Sequence, residues 1–284
     1  MDLSICALLY GGYYDLATRC LGSISISGVS SVQKDIQDIR VGLNEVCPDT
    51  RRYVEMWARK VTRSCSFPVI VFERQGPQRP TKYPMMRRMF YHPSHPLGSH
   101  VMWFDDDSYI VPRKTKPYAW WHEVLKEIDS CDLLGQSWSR PLKGDQRKWI
   151  SQQPWADPAT RPLDDLYFCQ GGWWCASVDR LAAADYPFPV LQHNGGDSML
   201  GELARHQLWN IKYVPENYKD VRINADSFGH HSEAKRRGIS NDKDIGVFRY
   251  SSSAVRNQHK FKSLVHIYQD GLLVQEDIVD DSLV

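Results

Sequence analysis

A chain of 284 residues with 42% apolar content can bury a sizeable core, and it suits one large α/β domain better than a set of small modules. A formal net charge of +1 excludes a global basic field. The short basic clusters at Arg51-Arg52, Arg59-Lys60 with Arg63, Arg87-Arg88 and Lys235-Arg236-Arg237 each read as a solvated helix face.

In chain order, residues 5–10 read as a buried strand, broken by Gly11-Gly12 before Leu16, Ala17, Cys20, Leu21 and Ile24 recur at helical spacing. Backbone N–H groups in the Tyr10-Gly11-Gly12 turn can approach a nucleotide or phosphate closely, and Asp15 suits the first helical turn. A second helix is signalled by Asp49 or Thr50 as its cap and by Val54, Trp57, Ala58 and Val61 on one face. Residues 67–72 form the next buried strand, ending at Glu73. That carboxylate either accepts from the base or ribose of a nucleotide or lies on the surface. Residues 75–80 are a Gly/Pro loop, and Lys82-Tyr83-Pro84 leads into a short helix around residues 85–91.

The apolar run Val101-Met102-Trp103-Phe104 and the three carboxylates after it, Asp105-Asp106-Asp107, organise the rest. The run reads as a buried strand with an exposed acidic tip. In an extended segment Asp105 and Asp107 face the same way, so they can share one hard divalent cation that relieves their repulsion. The competing reading is an acidic turn after a strand.

Trp121, Val124, Leu125 and Ile128 then mark a helix, and residues 133–135 a strand. Strands alternating with helices predict a mostly parallel sheet covered on both faces. Residues 137–165 read as a long aromatic loop, whose Trp138, Trp149 and Trp155 either stack on sugars or bases or roof the sheet. A strand at residues 166–170 precedes Gly171-Gly172, which permits close approach of another group, and Ser177 caps the following helix. Asp197 stands after Gly195-Gly196 at the start of another helix, as its N-cap or as a reactive carboxylate. Residues 209–214 are a strand. The loop pair His230-His231 is either a set of metal ligands or solvated, and the acidic tail from Gln275 is expected to be partly mobile. The expected organisation is one α/β domain over residues 1–249 with a C-terminal extension or tail over 250–284. Seven scattered cysteines without a CxxC pair and the absence of an apolar run of roughly 20 residues lead to the expectation of a soluble, cytoplasmic protein with reduced thiols.

Together these pieces resemble the GT-A glycosyltransferases, transferases that use nucleotide-sugars and have a Rossmann-like sheet. The resemblance rests on the strand-turn-helix opening with Ala7-Leu8-Leu9-Tyr10-Gly11-Gly12, which is similar to family 2 enzymes. It also rests on the DxD-type Asp105-Asp106-Asp107, the Gly171-Gly172 strand, the Gly-Gly-Asp before a helix, and the downstream histidines. It implies transfer of a sugar from a nucleotide-diphosphate sugar, UDP-sugars first, with Mn²⁺ or Mg²⁺ as cofactor. Asp105 and Asp106, with Tyr10, Gly11, Gly12 and Glu73, would contact the nucleotide. Asp105 and Asp107, with His230 or His231, would hold the metal, and Asp197 would be the general base of an inverting reaction. Two departures from the family pattern are the Gly-Gly before Asp197 in place of an acidic neighbour, and Glu73 in place of the usual aspartate. The acceptor is open: a glycan, a small molecule, a protein, or a hydroxymethylated base in DNA. A metal-dependent phosphohydrolase or nucleotidyltransferase, and a non-catalytic carbohydrate- or nucleic-acid-binding module, are the competing functions.

Overall fold

The computed structural model describes residues 1–75, 82–111, 114–140, 144–160, 166–189, 191, 196–214, 221–222 and 261–279, with the backbone alone at 137–140, 144–146, 166–170, 214 and 221–222. His230 and His231, and all but the first residue of the loop expected at 75–80, lie outside the described residues.

The chain runs β1 (Leu3–Tyr10), α1 (Tyr14–Ile26), a 3₁₀ stretch (Val29–Asp35), β2 (Ile36–Asn44), α2 (Pro48–Ser64), β3 (Val69–Gln75), α3 (Lys82–Phe90) and β4 (His100–Asp105). It continues through β5 (Tyr109–Ile110), α4 (Ala119–Ile128), β6 (Leu133–Arg140), α5 (Gly144–Ile150), β7 (Leu166–Ser177), α6 (Val178–Ala183), α7 (Gly196–His206), β8 (Ile211–Val214), β9 (Val221–Arg222), β10 (Lys262–Gln269) and β11 (Leu272–Val279). Nine described strands make one sheet in the order β11-β10-β3-β2-β1-β4-β7-β6-β8. Only β7 and β10 run against the rest, so the sheet is mostly parallel, as the alternation of strands and helices predicts.

Helices cover both faces because side chains alternate across each strand. Ile5, Ala7, Met102 and Phe104 point into a core with α1, α2 and α4. Cys6, Leu8, Val101 and Trp103 point into a second core with α3, α6 and α7. Among the described residues no helix is long and apolar enough to cross a membrane.

Four local differences from the sequence reading have physical causes. Strand β2 escapes the apolar-run criterion because Asp38 and Arg40 sit inside it, paired with each other and both buried. Helix α2 is capped at Cys47 with Pro48 in its first turn, a position where the missing N–H is no loss, so Asp49 and Thr50 fall inside the helix. The expected loop after residue 137 contains the end of β6 and helix α5. Trp149 and Trp155 are buried there against Phe188, with the Trp155 and Phe188 rings 5.7 Å apart and nearly coplanar at 7°, so these two tryptophans roof the sheet. Finally, Gln275 and its neighbours, expected in a mobile tail, lie in β11, which forms an antiparallel hairpin with β10 and joins the sheet through β3.

Candidate active site

The order β3-β2-β1-β4 shows that the chain lays β2 and β3 to one side of β1 and then crosses over to place β4 on the other. That reversal is a topological switch point at the carboxyl ends of β1 and β4, the place where open α/β sheets bind ligands. Tyr10-Gly11-Gly12 follows β1 and Asp105-Asp106-Asp107 ends β4, and pairing of Leu8 with Asp105 fixes their alignment. Topology therefore brings together the first two motifs singled out in the sequence.

Gly11 adopts φ of +63°, the left-handed region that favours glycine. Its N–H donates to the Asn44 carbonyl at 3.1 Å and its own carbonyl accepts from the Cys47 N–H at 3.1 Å. The Gly11 amide is thus committed to the turn, which leaves Gly12, exposed, as the residue of the pair whose backbone can meet a ligand. Glu73, two residues before the end of β3, is buried and forms an ion pair with the half-exposed Arg51 of α2.

The acidic tip differs from the expected exposed, extended geometry. The strand stops at Asp105 and the chain turns, with the Ser108 N–H donating to the Asp105 carbonyl at 3.0 Å. Asp105, Asp106 and Asp107 are only 9%, 3% and 5% exposed. The turn is held from the α1 side, where the Cys20 thiol approaches the Asp105 carbonyl at 3.7 Å and Ser23 accepts from the Ile110 N–H at 3.0 Å. The Asp105 carboxylate is oriented on both oxygens: Trp103 Nε1 donates to Oδ1 at 2.8 Å, and Lys82 Nζ to Oδ2 at 2.6 Å. Trp103 reaches because residues two apart share a strand face.

Lys82 is the site residue that sequence reasoning missed. It is buried at the first position of α3, and its ammonium also donates to the Gly171 carbonyl at 3.0 Å. It lies 5.7 Å from the Trp103 ring and 5.8 Å from the Tyr83 ring, within cation–π reach. One signal was available: a cation in the first helical turn opposes the macrodipole, and such a placement calls for a carboxylate nearby.

Asp197 lies in the first turn of α7, one residue inside the helix and not at the cap. Its carboxylate accepts from the Ser198 N–H at 2.9 Å and from the Gly171 N–H. Gly171 thus links both acids, its carbonyl on Lys82 and its amide on Asp197. A Cβ at Gly171 would lie 3.1 Å from Asp197 Oδ2, so the close approach expected at Gly171-Gly172 is that of Asp197 itself. Gly196 is required for the same packing, since a Cβ there would come within 2.2 Å of the Tyr83 ring. Burial raises the Asp197 pKa above the usual carboxylate value, opposed by the nearby Lys82 ammonium and by the amides of Ser198, Asp197 and Gly171. A carboxylate with a raised pKa beside a cation, at the carboxyl end of the sheet, has the character of a proton-transfer group.

For a divalent cation, the described residues alone fall short. No group of three or more His, Cys, Asp or Glu side chains among them is placed to hold one, and Lys82 already serves Asp105. The donor set nevertheless suits Mg²⁺ or Mn²⁺ in one common mode, in which one or two carboxylates act together with a substrate's phosphate oxygens. Asp106 and Asp107 are the neighbouring carboxylates in the same turn.

No family model matches this chain, and no curated protein does. Among solved structures, the mannosyltransferase PcManGT of Pyrobaculum calidifontis, in complex with GDP-Man and Mn²⁺, aligns at 14% identity and a TM-score of 0.47 over 75% of this chain, which spans 55% of that one. A 4-diphosphocytidyl-2C-methyl-D-erythritol synthase of Anaerococcus prevotii aligns at 10% identity and 0.45 over 79% of this chain and 93% of that one. Mouse xyloside xylosyltransferase 1 aligns at 9% and 0.43 over 75% and 85%. The bifunctional glycosyltransferase WbbM and the galactosyltransferase LgtC also align, at 9% and 10% identity, and at these values the likeness is one of chain path.

Proposed function

We propose that this protein is a glycosyltransferase that moves a sugar from a nucleotide-diphosphate sugar, a UDP-sugar first among the candidates, to an acceptor hydroxyl with inversion. The observation that carries the proposal is the junction at Gly171, which joins a lysine-paired carboxylate at the topological switch point to Asp197, a second carboxylate whose pKa is raised. Attack on an anomeric carbon requires the acceptor hydroxyl to lose its proton, and one base on the far side of the sugar from the leaving group gives inversion. Asp197 takes that role, held in place by the amides of Gly171 and Ser198. Tyr10 and Gly12 border the nucleotide, and Asp105, fixed by Trp103 and Lys82, orients its ribose. Asp106 and Asp107 would hold a divalent cation jointly with the diphosphate, and such an ion stabilises the negative charge that grows on the leaving group. His230 or His231 is proposed as a further ligand.

The acceptors to compare are a glycan, a small hydroxylated molecule and DNA carrying hydroxymethylated bases. The test incubates the protein with UDP-, GDP- and other nucleotide-sugars, with Mn²⁺ or with EDTA, and follows release of the nucleoside diphosphate and transfer to each acceptor. We expect release in one donor arm, dependent on the ion, and lost in Asp107→Ala without loss of folding. Full activity in excess EDTA would remove the cation from the proposal, and nucleotidyl transfer in place of sugar transfer would overturn it.

A further inference from the structure

The loop after α3 holds two histidines that the proposed transfer does not use. His92-Pro93-Ser94-His95 forms a turn closed by the His95 N–H, which donates to the His92 carbonyl at 3.3 Å. Proline at the second position favours such a turn, and the turn brings its first and last residues together. The two imidazole rings stand 5.1 Å apart, tilted by 35°. Their surroundings are fixed: Arg40 Nη2 donates to the His95 and Pro96 carbonyls at 2.8 and 2.7 Å, and the Phe72 ring of β3 meets the His92 ring edge to face at 5.6 Å. His92 is 4% exposed. Both of its ring nitrogens, and Nε2 of His95, are shut off from water and have no hydrogen-bond partner among the described residues. Buried polar atoms are nearly always paired, and three orphans in two adjacent rings call for a ligand.

We propose that His92 and His95 together bind one divalent transition-metal ion of the Zn²⁺ class, each through one ring nitrogen, with water completing the shell. The spacing of the rings agrees with this. An ion held at about 2.0–2.1 Å by one nitrogen of each ring, in tetrahedral geometry, sets the ring centroids about 5 Å apart. The donor type selects the ion, since imidazole suits Zn²⁺, Cu²⁺ and Ni²⁺ whereas Mg²⁺, Mn²⁺ and Ca²⁺ take oxygen. Imidazole binds a metal in its neutral form. Burial, with His95 and the Arg40 charge beside it, lowers the His92 pKa to about 4, so no proton has to leave this ring at neutral pH. From β11 the Asp277 carboxylate acts on both rings in the direction that favours a cation. Arg40 and Arg88 act against it, and the Arg40 charge is shared with Asp38. The pair lies past the end of α3, whereas Lys82 and Asp105 meet at its start, so the ion ties the loop after α3 to the sheet and takes no part in the transfer.

Isothermal titration of the EDTA-stripped full chain should show one equivalent of Zn²⁺ whose binding persists in excess Mg²⁺. Loss of an outer-shell partner alone weakens a metal site roughly 10- to 100-fold, so His92→Gln or His95→Gln, which removes a ligand, should weaken this one about 100-fold or more, and Asp277→Asn about tenfold. His122→Gln, at an exposed histidine of α4, should leave the affinity unchanged. Zn²⁺ should raise the wild-type melting temperature but not that of His95→Gln, whose half-buried position lets the variant fold without the ion. X-ray absorption at the zinc edge reads the ligands in the wild-type protein directly, whether or not His92→Gln folds, and two imidazoles with oxygen and no sulfur are the expected shell. No Zn²⁺ uptake by the wild-type chain, unchanged affinity in both glutamine variants, or a shell containing sulfur would overturn the inference.

Discussion

Two buried ion pairs lie near opposite ends of α3, and they differ in what surrounds them. Near its start, Lys82 holds Asp105 at the carboxyl end of β4; near its end, Arg40 holds Asp38 under the Met89 carbonyl. Arg40 is completely buried and closed on all sides: its Nε and Nη2 are on the Asp38 carboxylate at 2.7–3.1 Å, and Nη2 also donates to the His95 and Pro96 carbonyls at 2.8 and 2.7 Å. A planar guanidinium suits such a fork, and the arrangement leaves no group to do chemistry. Lys82 is a point charge shared between a carboxylate and a backbone carbonyl, with a second carboxylate of raised pKa beside it. The comparison teaches that a buried charge pair is not in itself a site. What marks the Lys82 pair is its place at the switch point and the neighbour, Asp197, whose pKa burial raises.

The largest expected effect tests the reactive side of that contrast. Asp197→Asn keeps the shape and an acceptor oxygen for the Ser198 amide but cannot take a proton. Turnover of the proposed transfer should fall by roughly 10²- to 10⁴-fold, with donor affinity and melting temperature nearly unchanged. Near-normal turnover in the Asn variant, with a loss of stability only in Asp197→Ala, would make Asp197 a helix-end residue and leave the two ion pairs equivalent.

The structural side predicts the reverse pattern. Arg40→Met leaves Asp38 charged, buried and alone, and breaking a buried pair in this way costs about 3–5 kcal/mol, read as a lower denaturation midpoint. Turnover per folded molecule should hold. Adding Asp38→Asn should return part of the stability, because the charge left behind is removed. A stable Arg40→Met with impaired turnover would assign the second pair to the site as well.

The same contrast explains what could be read from the sequence. The strands at β1, β3 and β4 and the helices α1, α2, α4 and α7 announce themselves, because each has one periodicity and an apolar face. So do Gly171 and Asp197, a glycine pair and an acid at a helix start. Strand β2 does not, since Asp38 and Arg40 interrupt its apolar run and their pairing, two residues apart on one face, shows only once the strand is assumed. Hairpin β10–β11 stays hidden for the same kind of reason: an edge strand with exposed residues lacks the alternation of a half-buried one. Lys82 and Asp105 lie 23 positions apart, and no local rule joins them. Their contact comes from the crossover that carries the chain from β3 through α3 to β4. The turn at Asp105 could not be seen because three aspartates in a row fit an extended tip and a turn equally.

The smallest effect concerns Lys82, and it decides whether this lysine acts on the reactive acid or only on the fold. Lys82→Met preserves the apolar stem against Trp103 and Tyr83 and removes the charge. The ammonium lowers the Asp197 pKa against the upward push of burial, so its loss should let that pKa rise further. A base works only when ionised, so the acid limb of the kcat/KM profile lies at the folded pKa. That limb should therefore move to higher pH in Lys82→Met, and the loss of activity should be greatest on the acid side and shrink as pH rises. Asp105 loses its cation in the same variant, and that change alone would lower turnover at every pH without moving the limb. Combining Lys82→Met with Asp197→Asn separates the two, because the limb itself should be missing from both Asn variants. A limb that stays in place in Lys82→Met, with activity uniformly reduced, would make this ion pair a structural one like that of Arg40.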